Sequence, residues 1–324
     1  RGAGDRNADE LAIRLDDRGI EMSSGSLRDM AWVSVRSLTD SAPLKVAMET
    51  LTTVLANPRF EKADIERVRQ QMQVSLSHMN QSPSSIAKRT FLATVFGDHP
   101  YGHDGIGTEA TIKAIQKDHL QAFHKQYYVA KNAVIAIVGD LNTKAARYLA
   151  NQIAADLPEG EHAGKLPEVP AAQQAFIEKQ YPSTQTHILL GQPGMAKHDP
   201  DYFPLYVGNH VLGGSGLVSL LGEEVRNKRG LSYGVYSYFS PMRATGPFIM
   251  TAQTKNKQAE EALQVMRETL TNFINDGPTE KELEASILNI TGGFPLQVSS
   301  NSKIVSYIAM MGFYDYPMDW LDTL

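Results

Sequence analysis

The sequence contains no cysteine among its 324 residues. That excludes disulfides, thiol catalysis and cysteine-ligated metal sites, and it is compatible with an oxidising compartment without requiring one. Basic charge is also scarce. Lys and Arg total 31 against 36 Asp and Glu, a net charge of −5, and no basic run offers the electrostatic footprint of a nucleic-acid binder. No apolar run approaches the roughly 20 residues that span a bilayer. Neither H-x-x-E-H nor H-x-x-E-H read in reverse occurs, so the strongest helical zinc signal is missing. There is no P-loop lysine behind the glycines of "VLGGSGLVSLLGEE" (211–224), and "GGSGL" lacks the strand-to-helix setting of a nucleophile elbow.

What remains is a soluble-type composition, 42% hydrophobic and 21% charged, with material for two cores. The Pro-, Gly- and charge-rich "LPEGEHAGKLPEVPAAQQ" (157–174) marks a linker. We read residues 1–160 as a first domain, 161–174 as the linker and 175–324 as a second domain. Both halves carry a pair of amphipathic helices joined at a turn-rich corner. In the first, Val46, Leu51, Val54 and Leu55 line one helix, and Ile65, Val68, Met72, Leu76 and Met79 recur at threes and fours on the next. "EEALQVMRETLTNFINDGPTEKELEASILNI" repeats that plan, which makes a domain duplication plausible. Strands are expected at 30–38, 234–240 and 247–254 from their alternation, and at 132–140 and 187–194 from continuous apolar character. Each half is therefore expected to be an α+β domain with a mainly antiparallel sheet and helices on one face.

Histidine supplies no clear metal site. His119 and His124 are five apart, off a common helix face. His99 and His103 lie in "DHPYGHDGIG", where Pro, Gly and Asp read as turn-formers. The most suggestive stretch is "EVRNKRGLSYGVYSYF" (224–239). A charged helix end turns at Gly230 and continues as a strand with Tyr233, Tyr236 and Tyr238. Arg226 at the helix end and Tyr233 at the strand start can point into one cleft and grip a polar backbone. The plainer alternative is an arginine neutralising a helix C-terminus beside an ordinary tyrosine.

"GNHVLGGSGLVSLLGEEVRNKRGLSYGVYSYF" resembles the second-domain signature of the pitrilysin/insulinase (M16) family of zinc metallopeptidases. "NPRFEKADIERVRQQMQ", "HPYGHDGIGTEATIKAIQKDHLQAFHKQYYVAKNAVIAIVGDL" and the opening "GAGDRNADELAIRLDDRGIEMSSGSLRDMAWVSVRSL" are similar to first-domain segments, so the resemblance spans the chain. It implies two similar domains facing each other as a clamshell, and a peptide-binding role for Arg226 and Tyr233. Arginine offers a planar fork of donors, and a phenol can donate to a developing oxyanion.

The departures are informative. The family's third zinc ligand, a glutamate, falls at Gln73, and a neutral amide is a poor ligand beside a carboxylate. A further acidic family position falls at Asp29, with Ser23 in place of an asparagine. Glu66 could substitute for Gln73 only across two helical turns, about 10 Å. H-x-x-E-H is expected upstream of Arg1, and further strands of the second domain after Leu324. "TGGFPLQVSSNSKIVSYIAMMGFYDYP" (291–317) resembles a later second-domain segment, in which Gly292 and Gly293 are expected to form a flexible turn.

The resemblance thus points to the two-chain members, in which one subunit carries zinc and its partner supplies the Arg/Tyr pair. On that reading this chain holds no cofactor of its own, zinc sits in an M16 partner, and the ligand is a peptide or unfolded polypeptide. A homo-oligomer is the other assembly implied. The alternatives are a self-sufficient zinc metalloendopeptidase and a non-enzymatic scaffold like the respiratory-complex core proteins. Similarity to bacterial members implies a periplasmic location, or otherwise a soluble cytoplasmic one.

Overall fold

The computed structural model describes residues 2–320. They form two compact units, neither contiguous in sequence. One comprises 2–75, 106–165 and 297–320, and the other 76–105 and 166–296. One of the passages between them, at 165–166, falls inside the proline- and glycine-rich stretch, which has no helix or strand.

In the first unit α1 (Ala8–Asp16) leads into the antiparallel pair β1 (Glu21–Ser26) and β2 (Ala31–Arg36), with Glu21 opposite Arg36 and Ser26 opposite Ala31. α2 (Ser41–Ala56) and α3 (Lys62–Asn80) follow, joined by Asn57–Glu61 as the turn-rich corner predicts, and the end of α3 from Leu76 on is counted with the second unit. Leu51 is buried, and on α3 the stripe Ile65, Val68, Met72, Leu76 and Met79 is the shielded face. After α4 (Pro83–Phe96), which belongs to the second unit, come α5 (Glu109–Ala114), α6 (Lys117–Tyr127) and α7 (Thr143–Ala155). Met48 and Leu51 of α2 and Leu149 and Ile153 of α7 form the core, with Met22, Val33 and Val35 of the strands against them.

Residues 132–140 correct one expectation. Ile135 and Ile137 pack on that core, but Asn132 ends a 3₁₀ turn and 133–140 join no ladder. A continuous apolar run reports burial, and burial is met here by helices and neighbouring side chains rather than by a paired strand.

The second unit is built on β3 (Gln185–Pro193), β4 (Ser232–Phe239) and β5 (Pro247–Lys255), in the antiparallel order β3-β5-β4. α8 (Tyr202–Asn209) precedes the strand β4, and α9 (Ala259–Asp276) and α10 (Glu280–Gln297) follow the sheet. Ile188, Val235, Met250 and Ala252 turn to one face and meet Ala262, Val265 and Met266 of α9. On the side of Gly191, Phe91 of α4 stands 3.0 Å from where a β-carbon would be, so α4 packs against β3 there. α9 ends at Gly277, whose φ of +70° suits glycine. Thr279 and Glu282 then cap α10 reciprocally: Thr279 N–H donates to Glu282 Oε2 at 2.8 Å and Glu282 N–H to Thr279 Oγ1 at 3.3 Å.

α10 overturns a second expectation. Gly292 and Gly293 sit inside the helix, which continues past Pro295 to Gln297, so they form no turn. A glycine costs a helix only about 1 kcal/mol, which the rest of an 18-residue helix outweighs. α11 (Asn301–Phe313) is part of the first unit, where Gly312 lets it approach Val134 closely.

Candidate functional site

The stretch between α8 and β4 is not one α-helix. The backbone makes a π-helical turn at His210–Gly214, a 3₁₀ turn at Gly216–Val218 and a second π-helical turn at Gly222–Asn227. Single π turns inside helices recur at functional sites. The widened ring shows in Lys228 N–H donating to Glu223 O at 2.9 Å. Leu221 and Val225 anchor this segment in the core, fully buried, and the residue after Val225 is Arg226. Gly230, at φ +63°, then turns the chain into β4, with its N–H donating to Arg226 O at 2.9 Å.

β4 opens with a bulge. Ser232 pairs with Thr254 and Val235 with Ala252, so Tyr233 and Gly234 together oppose Gln253. The buried Ser232 hydroxyl lies 2.7 Å from both Gly234 O and Gln253 O, tying the extra residue to the neighbouring strand. Bulges re-aim side chains. Tyr233 is 86% exposed, and the Arg226 guanidinium carbon stands 4.8 Å from its ring centroid. The two residues singled out in the sequence are therefore in contact, stacked as a cation–π pair.

The surroundings leave Arg226 free to bind. Glu224 Oε1 accepts from Lys228 Nζ and its Oε2 from Arg229 Nη1, each at 2.6 Å. Hydrogen bonds from Lys228 and then Arg229 hold the Glu224 carboxyl below the usual carboxylate range. Glu223 accepts from Asn227 at 2.8 Å. Both local acids are thus engaged elsewhere, and among the described residues no side chain accepts a hydrogen bond from the Arg226 guanidinium. Across the sheet, burial pushes the His187 imidazole pKa down, favouring its neutral form.

Ser232 is the residue that sequence reading missed. A small hydroxyl directly before Tyr-Gly at a strand start was the available signal. Replacing it with alanine is expected to remove the one donor that the two carbonyls share and cost about 1–3 kcal/mol. Urea denaturation would measure the loss, and Tyr233 should move away from Arg226.

The other sequence candidates are dispersed. Gln73 lies half-buried on α3. Glu66 accepts from Arg69 Nε at 3.2 Å, and the same guanidinium donates to the carbonyls of Ile112, Lys113 and Ile115. Asp29 Oδ2 accepts from the Tyr314 hydroxyl at 2.9 Å, and Ser23 is a β1 residue opposite Ser34. His99 is buried, with Nδ1 accepting from Tyr101 N–H at 3.1 Å and Nε2 3.0 Å from Pro167 O. That assigns both its nitrogens to structural work, as the loop reading expects. Among the described residues no three His, Asp or Glu side chains are grouped to hold a metal ion, and no helix is long and apolar enough to cross a membrane.

Comparison with known proteins places this geometry. Residues 1–109 match the insulinase (peptidase family M16) description, and residues 114–290 match the peptidase M16 inactive domain. A crystal structure described as a peptidase M16 inactive domain from Pseudomonas fluorescens is 34% identical, with a TM-score of 0.96 over 99% of this chain and 77% of that one. A Helicobacter pylori protease, 20% identical, shares the fold at a TM-score of 0.88, over 99% of this chain and 78% of its own. An uncharacterized zinc protease of Streptomyces coelicolor is 26% identical over 95% of this chain and 68% of the relative, and one of Bacillus subtilis is 25% identical over 94% and 73%. With both halves matched in order and the fold reproduced throughout, the chain belongs to the M16 peptidase family.

Proposed function

We propose that this chain binds peptide or unfolded polypeptide through Arg226 and Tyr233, in partnership with a zinc-bearing M16 subunit that performs the hydrolysis. The observation that carries the reading is the unclaimed Arg226 guanidinium, stacked on an exposed phenol while Glu224 serves Lys228 and Arg229 and Glu223 accepts from Asn227. A planar fork of N–H donors suits backbone carbonyl oxygens, and the Tyr233 hydroxyl can donate to a second one. The stack restricts the guanidinium's orientation, so less freedom is lost when a peptide docks.

The residues present do not fit a zinc ion in this chain. Gln73 offers a neutral amide where a carboxylate is needed, and Glu66 is held by Arg69. Zinc chemistry is accordingly assigned to a partner, an M16 chain of different sequence. A periplasmic setting is the compartment this reading adopts, consistent with a chain lacking cysteine.

Two measurements test it. Elemental analysis of the dialysed protein should find no zinc above background, and close to one zinc per chain would make it a peptidase in its own right. Arg226→Gln should weaken peptide binding about tenfold or more and slow cleavage by the assembled complex. Unchanged binding and cleavage would leave a scaffold role in its place.

A further inference from the structure

Simple alternation along "SYGVYSYF" would put Tyr233 on one face of β4 and Tyr236 and Tyr238 on the other. The bulge at Tyr233–Gly234 resets that parity. Ser232, Val235 and Ser237 turn inward, 5%, 3% and 1% exposed, while Tyr233, Tyr236 and Tyr238 all point outward. Gly234 is what admits the second ring. A β-carbon there would stand 3.1 Å from Tyr236 Cε2 and 3.2 Å from its Oη, so the Tyr236 phenol lies over the residue next to Tyr233. Tyr236 and Tyr238 remain 49% and 38% exposed, and among the described residues none of the three hydroxyls makes a hydrogen bond.

This face has the repeat of an extended peptide. Residues two apart on a strand lie about 7 Å apart, the same interval at which an extended chain presents alternate side chains. The Arg226–Tyr233 pair adjoins one end of the stripe and supplies donors for a backbone carbonyl. Aromatic side chains stack on exposed tyrosine rings in offset or edge-to-face contact. An acidic or small polar side chain gains nothing comparable.

We propose that Tyr236 and Tyr238 are specificity-determining residues, selecting an extended peptide with aromatic side chains at alternate positions beside the carbonyl held by Arg226 and Tyr233. This rests on the peptide-binding reading above and assigns that site its preferred substrate.

The test is fluorescence anisotropy with two labelled ten-residue peptides of equal charge, one carrying Phe-x-Phe and the other Ser-x-Ser. The native protein should prefer the first, and Tyr236→Ala and Tyr238→Ala should each reduce that preference about threefold to tenfold. Tyr236→Phe and Tyr238→Phe should retain it, because the ring makes the contact. Gly234→Ala, which displaces the Tyr236 ring, should reduce it as well. The proposal is overturned if the alanine variants keep the full preference or lose both peptides equally. It is also overturned if sedimentation shows that the tyrosine face joins two copies of the chain. Arg226→Gln is the separating control. It should weaken both peptides alike, and if it changes neither, the underlying peptide-binding reading fails instead.

Discussion

Gly213→Ala should destabilise the second unit by about 1–3 kcal/mol, the range for forcing an extra methyl group into a packed interior. Gly213 lies in the first π-helical turn and is buried against β4. A β-carbon there would stand 2.5 Å from Ser237 N and 2.8 Å from Leu221 Cδ1, and nearer still to Ser237 Oγ. Backbone cannot give way as a flexible side-chain tip can. Either the turn must lift or β4 must shift, and both break the Asn209–Ser237 clasp. In that clasp the Ser237 hydroxyl donates to Asn209 Oδ1 at 2.7 Å and Asn209 Nδ2 donates to Ser237 O at 3.2 Å. Peptide binding should fall with stability, because the same strand carries Tyr233. Gly292→Ala is the counterpart. Nothing lies within 4 Å of its β-carbon position, inside α10, so the exchange should stabilise by about 0.5–1 kcal/mol. Urea denaturation of the two variants should move in opposite directions, and a destabilising Gly292→Ala would show that the helix is not intact there.

The contrast between those glycines explains what the sequence made legible. Helical stripes such as Ile65/Val68/Met72/Leu76 were readable because a 3.6-residue period reports which face is turned inward, and that face is the shielded one, with Leu76 buried and the others half-buried. The strands around 234–240 and 247–254 were readable from alternation. Residues 132–140 carry a continuous apolar run yet make no ladder, because hydrogen-bond pairing depends on a neighbouring strand that no local pattern encodes. Glycine is ambiguous for a related reason. "GG" permits a turn without imposing one, so Gly292–Gly293 is helix while Gly213 is a close approach. The noncontiguous units, with 76–105 grouped beside 166–296, are likewise tertiary outcomes.

The candidate site was legible in part. Arg226 and Tyr233 were nominated from their chemistry and family resemblance, and the structure brings them into contact. The device that joins them was not visible. Two π turns sit in a sequence that reads as an interrupted helix, and the bulge depends on a serine hydroxyl bridging two carbonyls. The three-then-two spacing of Tyr233, Tyr236 and Tyr238 did carry a trace of it. Three aromatic residues sharing one face at that spacing require one extra residue in the strand.

Met250→Ala is expected to have the largest effect on stability, a loss of about 2–5 kcal/mol. Met250 is fully buried on the central strand β5, directly opposite Leu190 of β3 and Ser237 of β4. It shares one hydrophobic cluster with Leu221, Val225, Leu231 and Val235. Three of them flank the site: Val225 precedes Arg226, and Leu231 and Val235 bracket Tyr233. Truncation therefore removes packing beneath both the turn that carries the arginine and the strand that carries the tyrosine. A folded Met250→Ala population should bind peptide poorly, and its affinity should recover when the chain is stabilised by osmolyte. Arg226→Gln should behave in the opposite way, with native-like denaturation, lost binding and no rescue. Comparing the two by urea titration and anisotropy, with and without osmolyte, separates a site held by its core from a site made by its charge. Equal rescue of both variants would mean that Arg226 acts through folding, and the guanidinium would then need another role.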